Sequence, residues 1–523
     1  MSRLSFSPLD RSALAARGIS ERDAQRQAQW LLQGTRFMNL ARPAVVGDGI
    51  IRLTDEEADR SAADYATRLD QIRVTKFVPA SGAASRMFSC LLGFLNNRFE
   101  IDSRRLAAET PPASEAGAFL YEFFSGLKRG GFAFDRELDS AMQRTGGSLF
   151  QALQNHEYRR ILTTLLCPEH LGYSRLPKAL IPFHRSRGRA HTPLEEHLLE
   201  ALAYGRGRDA VCRVHFTVSP EHRDAIESLV QGAIKRLGSQ LEAFDVRYSV
   251  QDPATDTIAI TPEGMLFHDE SGELLLRPGG HGALIRNLDS LDSDLAFIKN
   301  IDNVVPPSRT AGSVYWKKVL GGFLLRQQDR VFRRLRALAD HAPDAMAAAE
   351  RYAREELGLS IPADLNDAGR FLWLSKLLNR PIRVCGMVEN RGETGGGPFW
   401  VRDDRGVLSL QIVESAQINQ DDAGQVAVVK ASTHFNPVDL VCGLRDFAGR
   451  RFPLGNYVNP DTYFVTAKTR GGRPLKALEW PGLWNGAMHD WLTFFVEIPV
   501  STFTPVKTVN DLLRAEHQNF SRE

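Results

Sequence analysis

Short apolar segments rich in β-branched and aromatic residues alternate with helix-start signals through the middle of the chain. Such segments occupy residues 73–79, 211–218, 244–250 and 295–302. Between them, Thr192-Pro193 with acidic residues in the following turn predicts a helix over 193–202, and a second helix is predicted from 219 to 237. Strands that alternate with helices favour an α/β fold whose sheet is mixed but mostly parallel.

The segments on either side of this alternating region differ from it. Residues 1–70 are polar and helical, with Thr54 and Glu57 spaced as a capping box. Residues 311–380 are helical and rich in Arg, Ala and Leu, whereas strands are predicted at 408–413 and 426–431. The sequence therefore predicts four parts: a helical N-terminal arm (1–70), an α/β core (71–310), a helical insertion (311–380) and a C-terminal α+β part that completes the site (381–523).

Charge and cysteine usage exclude several classes of protein. The 523 residues include 65 Lys and Arg against 63 Asp and Glu, whereas a general nucleic-acid binder carries a basic excess. The five cysteines include no C-x-x-C pair, which disfavours a disulfide framework and a structural zinc site. No run of about 18 uncharged apolar residues is present. We therefore expect a cytoplasmic protein that binds neither nucleic acid nor membrane.

A run of small residues separates the first core strand from a helix. The run Ala80-Ser81-Gly82-Ala83-Ala84-Ser85 is followed by Arg86. Small side chains let backbone N–H groups approach an anion, and a helix N-terminus adds donors. An arginine at the end of such a loop can hold phosphate oxygens through two parallel hydrogen bonds. The spacing matches neither the Rossmann nor the P-loop motif, and a tight strand–helix turn is the structural alternative.

A second candidate cation follows a proline. Pro177-Lys178 precedes an apolar segment, residues 179–183, that we predict to be a short strand. A lysine held in this way can act as a phosphate-binding point charge, although an ordinary loop lysine is the alternative. Together the two motifs resemble those of the sugar-1-phosphate nucleotidyltransferase superfamily, close to its UDP-sugar pyrophosphorylase branch. More narrowly, the chain resembles an uncharacterised bacterial family of roughly this length within that superfamily.

This resemblance implies a fold, an activity and a set of roles. The fold would have a GT-A-like nucleotide-binding core. The activity would be nucleotidyl transfer from a nucleoside triphosphate, with UTP favoured, to a sugar 1-phosphate, with Mg²⁺ and release of pyrophosphate. Arg86 and Lys178 would be catalytic, and residues 80–85 would bind the nucleotide. The loop has one glycine where the superfamily has several, and the long gap between Arg86 and Lys178 implies an insertion.

Two further segments match the superfamily. The residues Gly279-Gly280-His281-Gly282 resemble the Pro-Gly-Gly-x-Gly loop that holds uracil and ribose. Asp302 closes the segment 298–302 and resembles the acidic residue that binds Mg²⁺ in this fold. A hard oxygen ligand suits Mg²⁺, and α/β folds place ligands at the carboxyl ends of strands. A simple Gly-rich turn and a turn-capping aspartate are the structural alternatives.

The C-terminal third contributes weaker candidates. Its substrate-binding candidates are Glu389, Lys430, Asn436 and Lys507, and its candidate second metal ligand is Asp439. Glu414 is a further candidate for a sugar contact, whereas the aromatic segment 480–486 is typical of a closed core. A structural role is favoured for Asp292-Ser293-Asp294, which matches a glycosyltransferase D-x-D motif but precedes its strand. His184, His191 and His197 include no i, i+4 pair that would indicate a metal site.

Three alternatives to nucleotidyl transfer remain open at the level of sequence. The first is a glycosyltransferase that uses a nucleotide sugar. The second is a binding or regulatory protein that retains the fold without its chemistry, which the unusual small-residue loop favours. The third is a scaffold without a ligand.

Overall fold

The structure is a computed structural model that describes residues 4–99, 106, 111–237, 244–359, 362, 365–393, 395–404 and 406–518. Among these residues, every helix is too short or too polar to span a bilayer. The α-helices are α1 (Pro8–Ala16), α2 (Glu21–Gln33), α3 (Asp55–Arg68), α4 (Ser89–Leu95), α5 (Glu115–Lys128), α6 (Asp135–Arg144), α7 (Leu149–Gln154), α8 (Tyr158–Leu166), α9 (Pro193–Tyr204), α10 (Arg223–Arg236), α11 (Ile285–Asp289), α12 (Ala311–Ala339), α13 (Ala345–Glu355), α14 (Asp367–Leu378) and α15 (Ala423–Lys430).

The strands confirm the predicted α/β class. The segments predicted as strands at 73–79, 211–218, 244–250 and 408–413 all form strands, with ends that differ by a residue or less. The strands are β1 (Leu40–Pro43), β2 (Val45–Val46), β3 (Gly49–Ile51), β4 (Val74–Pro79), β5 (His184–Ser186), β6 (Arg189–His191), β7 (Cys212–Thr217), β8 (Phe244–Ser249), β9 (Thr257–Ile260), β10 (Leu276–Arg277), β11 (Leu295–Lys299), β12 (Ile382–Glu389), β13 (Gly397–Arg402), β14 (Leu408–Val413), β15 (His434–Phe435), β16 (Asp439–Gly443), β17 (Phe464–Arg470), β18 (Arg473–Glu479) and β19 (Leu492–Glu497).

The chain forms two units, and each is assembled from separate stretches of sequence. Unit 1 comprises Met1–Thr75, Ser249–Ile298 and Lys317–Val500, and unit 2 comprises Lys76–Tyr248, Lys299–Trp316 and Ser501–Glu523. The boundaries predicted at residues 70, 310 and 380 stay a prediction.

Unit 1 contains a mixed sheet whose strands run in the order β2-β3-β19-β12-β16-β11. The pairs β2/β3, β3/β19 and β19/β12 are parallel, whereas β16 and β15 are antiparallel to β12. A second sheet, in the order β10-β9-β18-β17, packs against α2, where Trp30 stacks on Tyr463 with ring centroids 4.8 Å apart. A third sheet has the order β1-β13-β14.

Unit 2 combines strands in the order β4-β7-β8 with a helical layer. β4 and β7 are parallel, with Lys76 opposite Val214 and Pro79 opposite Thr217. In the described part of the chain, helices α4 to α8 lie between Arg86 and Lys178, and the insertion that the long gap implies stays a prediction. Their apolar faces form one core that contains Phe123, Phe124, Phe132, Phe134, Tyr158 and Leu162.

Local sequence signals account for several helix ends. Thr54 and Glu57 form the predicted capping box at the start of α3, and Thr192 and Glu195 form another at α9. Each box satisfies two backbone N–H groups that the first helical turn leaves without partners. The helix predicted over 193–202 is therefore confirmed, with its end at Tyr204.

Three secondary-structure predictions are wrong. Residues 426–430, predicted as a strand, belong to α15, because Asp422 accepts hydrogen bonds from the N–H groups of Gly424 and Gln425 and caps a helix there. The segment 179–183 is no strand, since Lys178–Leu180 form a 3₁₀ turn. The strand predicted over 295–302 ends at Lys299, so Asp302 lies in the turn that follows it.

A glycine fixes the closest approach of two helices in unit 1. A Cβ atom added to Gly322 of α12 would lie 1.8 Å from the carbonyl oxygen of Ser61 in α3. Real Cβ atoms never approach a backbone oxygen so closely, so any side chain at position 322 must push the helices apart. Near the start of α12, by contrast, Gly312 has open space around its Cβ position.

We expect Gly322→Ala to lower the free energy of unfolding by about 1–3 kcal/mol, the usual cost of overpacking a core. The matched variant Gly312→Ala should leave stability unchanged or slightly higher, because alanine favours the helix. Urea denaturation of both variants measures the difference. Equal stability of the two variants would contradict this packing.

Candidate active site

The small-residue loop and the Pro-Lys segment lie side by side in unit 2. The backbone N–H of Lys178 donates to the carbonyl of Gly82 at 3.0 Å, and the N–H of Ala84 donates to the carbonyl of Leu176 at 3.0 Å. The N–H of Ala80 donates to Thr217 at the end of β7 at 2.8 Å. The two motifs, far apart in sequence, are thus joined by backbone hydrogen bonds at the carboxyl end of β4.

Most of this loop is open to solvent. Ser81, Gly82, Ala83 and Ser85 are exposed, whereas the methyl groups of Ala80 and Ala84 are buried beneath them. A Cβ atom at Gly82 would contact nothing within 4 Å. The loop therefore presents backbone to open space, as a phosphate-binding turn must.

Arg86 ends the loop within a short 3₁₀ turn, and α4 follows three residues later. Its side chain is exposed. Within the described part of the chain, it forms no ion pair or hydrogen bond. Among the residues that the structure describes, the guanidinium therefore has no counterion.

Lys178 is buried against a carboxylate and a second lysine. Its Nζ lies 2.7 Å from Oδ2 of Asp302, and Nζ of Lys507 lies 3.2 Å from the same oxygen. Lys178 and Asp302 are 8% and 6% exposed, whereas the Lys507 side chain is 58% exposed. Three segments that are distant in sequence thus meet at one carboxylate oxygen, and one of the two ammonium groups faces solvent. We call Lys178, Asp302 and Lys507 the lysine cluster.

Backbone hydrogen bonds hold the segments of this cluster in place. The N–H of Val506 donates to the carbonyl of Asp302 at 3.0 Å, and Nζ of Lys178 donates to the carbonyl of Val506 at 2.7 Å. Oδ1 of Asn303 accepts the N–H of Thr504 at 3.0 Å. The turn after β11 is therefore hydrogen-bonded to the segment 504–506, which precedes Lys507 and fixes its position.

The two lysines determine the charge of Asp302. Burial acts to raise the pKa of this carboxyl, but Lys507 and Lys178 outweigh it and hold the pKa below its usual value. Burial lowers the pKa of Lys178, and Asp302 opposes this shift. The single carboxylate of Asp302 faces two lysine side chains, an arrangement that suits a phosphate ligand.

Asp511 completes the support of Lys507, and the sequence analysis overlooked it. Its Oδ2 accepts the backbone N–H groups of Lys507 at 2.8 Å and of Thr508 at 2.7 Å. Thr508 and Asp511 form a capping box for the following 3₁₀ segment. The spacing of a threonine and an acidic residue three positions later was the signal available in the sequence.

The second predicted glycine loop belongs to unit 1, and its glycines are packed. A Cβ atom at Gly279 would lie 2.1 Å from the Trp480 ring, and one at Gly282 would lie 2.0 Å from the carbonyl oxygen of Pro481. Gly280 has φ +80°, which side chains rarely adopt. Contact with the segment 480–486 therefore accounts for glycine at 279 and 282 independently of any ligand.

His281 of this loop takes part in a polar contact with Glu414. The imidazole stacks on Trp484 at 4.3 Å between ring centroids, and Nε2 lies 3.4 Å from the Glu414 carboxylate. Nδ1 accepts the N–H of Leu483 at 3.1 Å. Burial acts to raise the pKa of Glu414, but the hydrogen bond with His281 holds it below its usual value. The loop thus places a histidine–carboxylate pair, both partly exposed, beside an indole ring.

The other candidates of the C-terminal third are not brought together by contacts within unit 1. Asp439 is buried in an ion pair with Lys317, so its carboxylate already has a cationic partner. Asn436 is buried, and its Oδ1 accepts the N–H of Val438 at 3.1 Å. Lys430 is exposed at the end of α15, and Glu389 is exposed beside Arg391 at 3.7 Å.

The D-x-D aspartates and His184, for which no ligand-binding role is predicted, form ion pairs or hydrogen bonds with other side chains. Asp292 pairs with Arg73 and Arg445, and Asp294 pairs with Arg445 at 2.7 Å. The D-x-D aspartates thus join three segments of unit 1. In unit 2, buried His184 hydrogen-bonds Glu196 at 2.6 Å, and burial lowers the pKa of His184 to about 3.

Within the lysine cluster, the carboxylate of Asp302 is the group that could bind Mg²⁺, together with substrate phosphates. Among the described residues, no group of three or more His, Cys, Asp or Glu side chains is placed to hold a metal ion. Mg²⁺, however, usually keeps several waters and binds through one or two carboxylates plus substrate phosphates. Both lysines contact Oδ2 of Asp302, so the second carboxylate oxygen is the atom that fits such a role.

A family model described as Domain of unknown function (DUF4301) matches residues 7–518. No curated protein matches the chain. Among solved structures, UDP-N-acetylglucosamine pyrophosphorylase from Trypanosoma brucei is 12% identical, with 97% of this chain and 79% of that chain covered and a TM-score of 0.48. A mutant UDP-glucose pyrophosphorylase from Leishmania major is 13% identical, with 98% and 80% covered and a TM-score of 0.46. At these values the likenesses assign neither activity nor substrate to this chain.

We expect Asp302→Asn to destabilise the fold by about 3–5 kcal/mol at neutral pH, because Lys178 would lose its buried counterion. Since the pKa of Asp302 is lowered in the folded state, its stabilising effect is complete above pH 3.8, the unperturbed value, and is lost as the pH falls through the folded pKa. The variant should therefore show a weaker loss of stability in acid.

Urea denaturation at several pH values measures both effects. Asp329→Asn is the matched control, because Asp329 forms an exposed pair with Arg68 at 2.6 Å and should cost less than about 1 kcal/mol. Equal losses in the two variants would contradict the structural role of the cluster.

Proposed function

We propose that this chain, which belongs to the family described as Domain of unknown function (DUF4301), is a nucleotidyltransferase. It would join a nucleoside monophosphate unit from a nucleoside triphosphate, with UTP favoured, to a sugar 1-phosphate. Pyrophosphate would be the second product. The reaction class is that of the pyrophosphorylases.

One observation carries the proposal: the small-residue loop and the lysine cluster meet within unit 2. Gly82 accepts the backbone N–H of Lys178, whose ammonium group reaches Asp302, which in turn contacts Lys507. An open loop with an arginine at its end, next to two lysines, can bind a triphosphate and a second phosphate. This arrangement suits nucleotidyl transfer, which depends on alignment and charge neutralisation more than on acid–base chemistry.

In the proposed step, a phosphate oxygen of the sugar 1-phosphate attacks the α-phosphorus of the triphosphate. The bond from the α-phosphorus to the bridging oxygen breaks, and pyrophosphate leaves with the electron pair. Lys178 is held rigidly by Asp302 and Val506, so it would stabilise charge on the α-phosphate with little reorganisation. Exposed Lys507 would bind the incoming phosphate.

Arg86 would hold the β- and γ-phosphates. Its guanidinium is exposed at the end of the loop, and planar bidentate donors suit phosphate oxygens. The backbone N–H groups of Ser81, Gly82, Ala83 and Ser85 would add neutral donors, whereas that of Ala84 already donates to Leu176. Developing negative charge on the leaving pyrophosphate would thus be stabilised by an arginine that has no competing partner among the described residues.

Mg²⁺ would be held by Asp302 together with phosphate oxygens of the substrate, and when bound it would neutralise phosphate charge. Asp302 would then have two tasks, since it also positions Lys178 and Lys507. Asp439, already paired with Lys317, is not included in this site. Base recognition by residues 279–282 and sugar contacts from Glu389 or Lys430 are proposals that rest on the sequence.

A glycosyltransferase reaction is less well supported. The aspartates of its candidate D-x-D motif are engaged by Arg73 and Arg445. A metal ion at Asp292 and Asp294 would have to displace these arginines. The observed pairs instead support the interpretation of the motif as a structural junction.

The direct test is a screen for pyrophosphate release across nucleoside triphosphates and sugar 1-phosphates, with the full chain and Mg²⁺. Arg86→Ala and Lys507→Ala should each lower kcat/KM by about 10²–10³-fold, the usual effect of removing one electrostatic donor. Chelation of Mg²⁺ should abolish turnover. Arg98→Ala and Lys128→Ala, which replace exposed cations of unit 2 outside the site, are matched controls and should retain activity.

Other results would favour the alternatives. Release of a nucleoside diphosphate from a nucleotide sugar would identify a glycosyltransferase. A triphosphate that raises the melting temperature without any turnover would identify a binding protein. Normal turnover by Arg86→Ala would overturn the role of that arginine.

A further inference from the structure

A cavity of about 320 Å³ lies in unit 2, and none of the residues that line it belongs to the lysine cluster or the small-residue loop. Its volume is at the lower end of the range for small-molecule sites. Its lining comes from residues 130–133 before α6, from α6 itself, from the β5–β6 hairpin and from residues 517–518. The lining residues used below are Gly131, Phe132, Arg136, Arg185, Arg187 and His517.

The charge of this cavity has one sign. Arg136, Arg185 and Arg187 line it, and among the described residues no aspartate or glutamate does. Arg136 and Arg187 are exposed and Arg185 is half-buried, and together they give the cavity a positive electrostatic potential that attracts anions.

Neutral backbone oxygens hold two of these arginines in place. Nη1 of Arg136 donates to the carbonyl of Gly188 at 3.2 Å, and Nη2 of Arg185 donates to the carbonyl of Phe132 at 3.0 Å. These bonds position the guanidiniums without cancelling their charge. Asp135 interacts electrostatically with Arg185, but burial raises the pKa of this carboxyl to about 7, so it neutralises that arginine only in part near pH 7.

The third arginine occupies an unfavourable backbone conformation. Arg187 has φ +48° at the tip of the β5–β6 hairpin, and Gly188 beside it has φ +69°. A non-glycine residue is disfavoured in the left-handed region, because its Cβ crowds the following carbonyl oxygen. Asparagine or glycine would fit the turn with less strain, so the arginine at this position is not explained by the hairpin.

Hydrogen bonds fix the two C-terminal residues that line the cavity, His517 and Gln518. Nδ1 of His517 lies 2.7 Å from Nε2 of His184, which in turn contacts Glu196. Nε2 of Gln518 donates to the carbonyl of Gly131 at 3.0 Å. His517 and Gln518 are therefore hydrogen-bonded to residues near the arginines, namely His184 in β5 and Gly131 beside Phe132. These bonds define the shape of the cavity within unit 2.

We infer that this cavity binds the phosphate group of a small phosphorylated molecule, at a second site separate from the lysine cluster. Guanidinium groups match tetrahedral phosphate oxygens through paired hydrogen bonds. Three positive charges favour a dianion over a single carboxylate. The inference does not depend on the proposed function, because the two sites share no residue.

Inorganic phosphate is the probe, and isothermal titration calorimetry on the full chain at constant ionic strength is the measurement. The test variant is Arg136→Asn/Arg187→Asn, since asparagine tolerates the backbone at 187. We expect its phosphate affinity to fall by about tenfold or more for each guanidinium removed. The matched control Arg98→Asn/Arg144→Asn removes two exposed arginines of unit 2 outside the cavity and should bind phosphate as the unaltered chain does.

A third variant separates the two sites. Arg86→Ala/Lys507→Ala alters only the proposed catalytic residues, so the cavity should still bind phosphate even if this variant, or the unaltered chain, shows no turnover. Acetate, a monoanion, should bind much more weakly than phosphate. Melting temperatures check that each variant is folded. Unchanged phosphate affinity in folded Arg136→Asn/Arg187→Asn, or equal affinity for acetate, would overturn the inference.

Discussion

The candidate site depends on one buried carboxylate between two ammonium groups. Asp302 is 6% exposed and contacts both Lys178 and Lys507 through the same oxygen. A buried carboxylate is costly without cations, and a buried lysine is costly without an anion. Each therefore requires the other, and the turn after β11 is held to the segment before Lys507. The small-residue loop is linked to the same cluster through the backbone of Lys178.

In the two glycine-containing loops, glycine occurs for different reasons: open space in one loop and close packing in the other. Gly82 has open space at its Cβ position, whereas Gly279 and Gly282 face Trp480 and Pro481 at distances that exclude any side chain. Open space is compatible with ligand access, and close contact is a requirement of packing. The resemblance to a base-binding loop in the sequence does not separate these two causes, because both favour glycine.

The predictions that succeeded rest on local physics. The capping box at Thr54 and the helix start at Thr192 need only residues within one helical turn, and β4, β7 and β14 are short runs with strong strand propensity. The predictions that failed concern segments in which strand propensity competes with a nearby helix or turn signal. Residues 426–430 contain several valines, yet the cap provided by Asp422 makes them helical. Propensity alone does not determine which of two nearby signals prevails.

By itself the sequence determined the α/β class and several capped helices, and it predicted Arg86, Lys178 and Lys507 as phosphate-binding candidates and Asp302 as a metal-binding candidate. Only the tertiary structure decided which of these meet. Lys178, Asp302 and Lys507 come from three distant segments, and their ion pairs form because burial makes separation of the charges unfavourable. It also decided that Asp439 is occupied by Lys317 and that three arginines surround a cavity. Contacts over such sequence distances depend on how the chain packs, and no local pattern encodes them.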